Sequence, residues 1–362
     1  MNDAPLESPQ TAAQMAEAAS RFLASLTGAQ LDQVRFDFAD EGKRRDWSYL
    51  PVLERDGLRI GALDDEQRKL AHALIVAGTS LPGYTKVVSV MAMEHVQRAV
   101  ALATKPGIAH LFEPGRYCFK VFGQPAAEGA WGWQFAGHHI SLNFTVADGR
   151  YVSPTPSMLG AEPDSCGTLA PLADDEELGF RLVNSLDDTQ RTTAIISHRS
   201  PPDVATRIVP RLGDVERPDA IFPPGSDYLI SEDERDMLSY VRHSPKGLPG
   251  HAMTKQQVSD LAAIVEAFAR RMSEEVAAAQ LANIDRHGLE NLTFAWAGGT
   301  SPGDLHYFRI QGPVLLIEHD NTQDNGRHIH SVWRNPADDF GDDILARHYR
   351  EHHTDGQPSR NT

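Results

Sequence analysis

The chain has 362 residues, 41% hydrophobic and 23% charged, a balance that supports a sizeable buried core. Its formal charge of −16, with no Lys/Arg run to offset it, makes nucleic acid and anionic membranes poor partners. The two cysteines, Cys118 and Cys166, form no CxxC, which excludes a zinc ribbon or thioredoxin-type motif and leaves open whether they pair.

Residues 1–10 are acidic and polar, so no export signal is read and a cytoplasmic location is expected. No stretch approaches the roughly 20 apolar residues of a membrane span. Residues 10–104 read as helical. Met15, Ala18, Phe22 and Leu26 recur at helical spacing, Asp64 with Gln67 forms a capping box ahead of Leu70 and Leu74, and a further helix fits 85–102. The period then changes to two, predicting a β unit over 117–156 with strands at 117–122, 131–135, 139–146 and 151–155. Helices return over 175–285, at 175–185, 188–197 and 231–242, with one long helix running from the Thr254/Gln257 capping box to about Asp285. A second β unit covers 292–334, with strands at 292–297, 305–311, 314–320 and 328–333, and a short terminal helix covers 342–353. The expected fold is a single α+β domain over 1–362, with antiparallel β units flanked by helices. Residues 131–137 and 306–312 are alike, and each continues through an apolar strand to a Gly-Arg turn, at Gly149-Arg150 and Gly326-Arg327. A pseudo-twofold repeat is one reading of this likeness, and chance is the other.

The chemistry concentrates at the end of the chain. Strand side chains alternate between faces, so Glu318 and Asp320 share one face of 314–320, and His328 and His330 share one face of the next strand. If residues 321–327 close a symmetric hairpin, Asp320 lies opposite His328 and Glu318 opposite His330. Two carboxylates and two imidazoles then meet, a set that suits a divalent zinc, iron or manganese ion. His139 points with the polar side of its strand and is a third candidate imidazole ligand. His138, in the turn, is a proton shuttle or alternative ligand. The competing reading makes these histidines ordinary hydrogen-bonded sheet residues. His319, on the apolar side with Ile317, reads as a satisfied core histidine. Arg309 and Gln134 hold either a substrate carboxylate or a structural ion pair.

The runs Trp131-Gly132-Trp133, Gly137-His138-His139, Ser153-Pro154-Thr155, Gly160-Ala161-Glu162-Pro163, Ile317-Glu318-His319-Asp320, His328-Ile329-His330 and Asp339-Phe340-Gly341 together resemble a bacterial family named domain of unknown function 3500. The resemblance covers most of the chain and implies no particular activity. Family members commonly begin with an export signal, in contrast to residues 1–10 here.

The functional expectation is a metal-dependent enzyme acting on a small molecule. His139, His328, His330 and Glu318 would be ligands, with Asp320 and His138 in catalytic roles. Hydrolysis by a metal-activated water is favoured over non-haem iron oxygenation because a spare acid is at hand. The alternative is a binding protein that holds a small ligand or metal without catalysis.

Overall fold

The computed structural model describes residues 7–52 and 54–352. Thirteen strands form one mixed sheet. Its eight main strands are β1 (Cys118–Phe122), β2 (Ala130–Gly137), β3 (Ile140–Ala147), β4 (Ser157–Ala161), β5 (Thr293–Gly298), β6 (His306–Gly312), β7 (Leu315–Thr322) and β8 (His328–Arg334). They lie in the order β1-β2-β3-β4-β8-β7-β6-β5, so the two β regions join where β4 pairs with β8.

The helices pack on one face of this sheet. They are α1 (Pro9–Ala24), α2 (Asp65–Gly78), α3 (Leu81–Thr104), α4 (Ala173–Asn184), α5 (Lys255–Ala269) and α6 (Glu274–His287). Their apolar stripes meet Trp133, Phe135, Leu142 and Phe144 of one region and Phe294, Trp296, Phe308 and Ile317 of the other in the largest core cluster. The long helix expected over 254–285 is two helices, because the chain leaves helical geometry around residues 270–273. Residues 195–197, expected to continue a helix, form a strand parallel to β5.

Elements follow the same order twice. Arg35–Phe36 pairs in parallel with β1 as Ile195–Ser197 does with β5, and Leu58–Arg59 pairs antiparallel to β1 as Leu248–Pro249 does to β5. Each half also has a pair of capping glutamines that bond each other and a distant carbonyl: Gln30 with Gln67, and Gln190 with Gln257.

Irregular chain covers the other sheet face, from the segments around Tyr49, Val204 and Phe340. Such chain cannot satisfy its own backbone groups, and the sheet supplies partners for them. Gln134 donates to the Arg44 carbonyl, and Thr145 donates to that of Phe340. Arg309 donates to the carbonyls of Leu238 and Ser239. Much of the polar periodicity therefore serves to fasten loops, and Arg309 and Gln134 are bonded to loop carbonyls, not to the ion-pair partner expected. Cys118 and Cys166 are both free thiols. Among the described residues, no helix is long and apolar enough to cross a membrane.

The β7–β8 hairpin differs in register from the symmetric closure. Asp320 pairs with His330, and Glu318 pairs with Val332. β7 runs on to Thr322, and the reversal is made by Asp324, Asn325 and Gly326, at φ 49°, 57° and 76°. Three consecutive left-handed residues turn the chain more tightly than a loop over 321–327, and Asp, Asn and Gly are the residue types that tolerate that conformation.

Candidate metal centre

The centre is built on the β2–β3 turn. Gly137 pairs with Ile140, which leaves His138 and His139 as its two residues. His139 has φ 62°, a left-handed conformation rare for a side chain of this size. Its N–H donates to the Tyr49 carbonyl, and its own carbonyl accepts from Gly160 N–H. The Tyr117 hydroxyl donates to the His138 carbonyl at 2.9 Å. Gly160 is required sterically: a Cβ there would lie 2.7 Å from His139 Cδ2 and 2.7 Å from the Ile329 carbonyl oxygen.

Four imidazoles gather at this point. His138 and His139 stack with centroids 3.7 Å apart, and the His328 ring lies 4.7 Å from both His139 and His330. His139 Nε2 and His328 Nε2 approach to 2.7 Å. Burial, reinforced by neighbouring imidazoles, holds both His139 and His328 well below the usual histidine range. Carboxylates back two of the rings. His138 Nδ1 donates to Glu94 at 3.0 Å, and His330 Nδ1 donates to Asp203 at 2.7 Å. Such contacts fix the tautomer and leave the other ring nitrogen free to act.

Glu162 completes the group, since ligand atoms of His138, His139, Glu162 and His328 all lie within 4.8 Å of one another. Burial first, and then Asp324 beside it, pushes Glu162 up to about 9. A second cluster of Asp203, Asp320 and His330 adjoins the first. The four histidines and Glu162 line a cavity of about 760 Å³ whose other walls include Tyr49, Phe112, Phe222 and Tyr228. That volume suits a small organic molecule.

The two expected acids take other places. Glu318 does not join the imidazoles. Its carboxylate accepts from the N–H groups of Ala205 and Thr206, the Thr206 hydroxyl and the Tyr307 hydroxyl, and these contacts anchor the segment carrying Asp203. Asp320 is fully buried behind His330 and does not line the cavity. One of its oxygens accepts from Thr322 and the other has no partner, while burial and then Asp203 raise it well above the usual carboxylate range. His319 is also not the satisfied core residue expected, because neither ring nitrogen has a partner.

Sequence reasoning missed Glu94, Glu162, Asp203 and Asp324. Glu94 sits within α3 and Asp203 just after Pro201 and Pro202, outside any main strand or helix, and neither lies in a local pattern that marks it. Glu162 falls within the Gly160–Pro163 run that contributed to the family resemblance, and that run was the available signal.

The chain matches the family described as protein of unknown function (DUF3500) over residues 8–342, and it belongs to that family. No curated protein and no solved structure matches it.

Proposed function

We propose that this protein is a metal-dependent hydrolase of a small, partly apolar molecule. The observation that carries the reading is the convergence of buried imidazoles on an open cavity, where ligand atoms of His138, His139, Glu162 and His328 lie within 4.8 Å of one another. In this reading His138, His139 and His328 hold a divalent ion, of which zinc, iron and manganese are the candidates. Three neutral ligands leave the ion its full charge, which favours ionisation of a bound water. His330, oriented by Asp203, takes the proton as water adds across the scissile bond. Glu162, at the cavity wall, returns one to the leaving group. These roles pass from Asp320 and His138 because Asp320 does not reach the cavity and His138 belongs with the ligands. A chain of net charge −16 favours a neutral or cationic small molecule over a polyanion.

Elemental analysis of the purified protein, with the H139A/H328A variant beside it, tests the ligand assignment. The variant is expected to lose one metal equivalent while remaining folded by circular dichroism. A screen of activated esters, amides and phosphoesters tests the chemistry. Asp203→Asn is expected to keep the metal and lower turnover by about 10²-fold or more. Metal content unchanged in H139A/H328A would end the reading. Dioxygen consumption without any hydrolysis would replace the hydrolase with an oxygenase.

A further inference from the structure

On the helix-covered face of the sheet, opposite the cavity, a second group of ligating side chains lies outside the chemistry above. His306 begins β6 and His319 lies in β7, both fully buried. Glu176 of α4 reaches them from above, its side chain 25% exposed. Ligand atoms of the three lie within 4.8 Å of one another. His306 Nε2 stands 3.4 Å from Glu176 Oε1, close to the roughly 3.4 Å between two ligands of one tetrahedral ion with bonds near 2.1 Å.

The unpartnered nitrogens point to a ligand. His306 donates through Nδ1 to the Asp304 carbonyl at 2.8 Å, but its Nε2 has no hydrogen bond, and His319 has none at either nitrogen. A buried imidazole with an idle N–H or lone pair is costly unless something meets it. The rings cannot swing to other partners. His306 is stacked on Trp296 at an interplanar angle of 6°, and His319 on Phe308 at 8°. The packing therefore holds these nitrogens toward one another and toward a carboxylate. Arg271 and Lys86 lie close enough to His319 to oppose a cation, but both are paired with the buried Asp175, at 2.7 and 3.7 Å. The Asn321 side chain joins the two faces, donating to Glu176 at 2.8 Å and accepting from the His328 N–H at 3.0 Å.

We infer that His306, His319 and Glu176 form a second divalent-metal site of the two-histidine, one-carboxylate class, with zinc or another borderline transition ion as its ligand. Three protein ligands leave a coordination position for water. Its role is to brace α4 against β6 and β7 and, through Asn321, the strand that carries His328.

Zinc chloride titration against a chromogenic chelator tests this on the whole protein. The wild type is expected to bind two equivalents. H139A/H328A is expected to keep one, and adding Glu176→Gln to it to weaken that one by about tenfold or more. His306→Gln alone is expected to leave one equivalent, at the cavity. Glu176→Gln preserves the acceptor for Asn321, so it reads out ligation separately from folding. Cobalt(II) absorption in H139A/H328A, expected to disappear on adding His306→Gln, gives an independent readout. Absence of zinc binding by H139A/H328A, an equivalent there that Glu176→Gln does not weaken, or two undiminished equivalents in His306→Gln would overturn the inference and leave the imidazoles to a buried water. If the wild type binds a single equivalent that survives H139A/H328A and is lost in His306→Gln, this site stands and the cavity centre falls.

Discussion

Replacing His139 by asparagine separates the cost of the centre from its benefit. The residue sits at φ 62°, a conformation that costs an ordinary side chain about 1–2 kcal/mol and that asparagine tolerates better. His139→Asn thus relieves strain and removes one proposed ligand together, and the space vacated opens onto the cavity, where water can fill it. A chain of 362 residues has an unfolding entropy of roughly 0.8 kcal/mol/K, so 1 kcal/mol moves its midpoint by about 1 °C. The chelator-stripped variant is therefore expected to unfold about 1–2 °C above the stripped wild type. Metal at a hundred times its dissociation constant is expected to stabilise the wild type by about 2.7 kcal/mol through the cavity centre, roughly 3–4 °C. The variant is expected to lose that increment. Scanning calorimetry of stripped and zinc-loaded samples of both proteins measures the two effects. An unchanged metal increment in the variant would refute His139 as a ligand. A stripped variant several degrees below wild type would show that the imidazole is there for packing.

Other substitutions probe the supports of the centre. Gly160→Ala forces a methyl group to 2.7 Å from the His139 ring and the Ile329 carbonyl, and is expected to cost about 1–3 kcal/mol in urea unfolding and to weaken zinc binding. Glu94→Gln removes the charge behind His138 and is expected to reduce zinc affinity about 10- to 100-fold in competition titrations, with little change in fold. Glu318→Gln leaves the N–H groups of Ala205 and Thr206 facing an amide; a loss of about 2–4 kcal/mol in urea unfolding is expected, without loss of metal. Metal loss at unchanged stability would return Glu318 to the ligand set. Asp338 is buried, and burial pushes it up to about 7 although it accepts the N–H groups of Asp343 and Ile344. Because its folded pKa lies above its unfolded value, the stability it contributes is complete below about pH 4 and is lost as pH rises to about 7. Asp338→Asn is expected to match wild type near pH 4 and to exceed it by of order 4 kcal/mol at pH 8, as measured by denaturant unfolding across that range.

The contrast between Glu318 and Glu162 shows what could be read from the chain. Alternation puts Glu318, Asp320, His328 and His330 on one face, and they are there. Face is a local property, set by the period of a strand. What covers a face is not local. Here loop backbone with unmet hydrogen bonds covers most of it, and Glu318 is consumed by that demand. Register fell between the two: it rests on whether residues 324–326 adopt left-handed conformations, which the residue types Asp, Asn and Gly permit without dictating. The helices were legible from spacing and capping boxes, because those signals lie within four residues of one another. Glu94 and Asp203 could not be, since each meets its histidine from a distant segment, 44 and 127 residues away. His319 carries the converse lesson. Its apolar side was read correctly, but an apolar side does not guarantee a satisfied imidazole, and both of its nitrogens lack partners. A polar residue on a covered face is thus scaffold by default, and two observations change that reading: a cavity at its tip, as for Glu162, or a hydrogen-bonding atom that packing has left idle, as for His319.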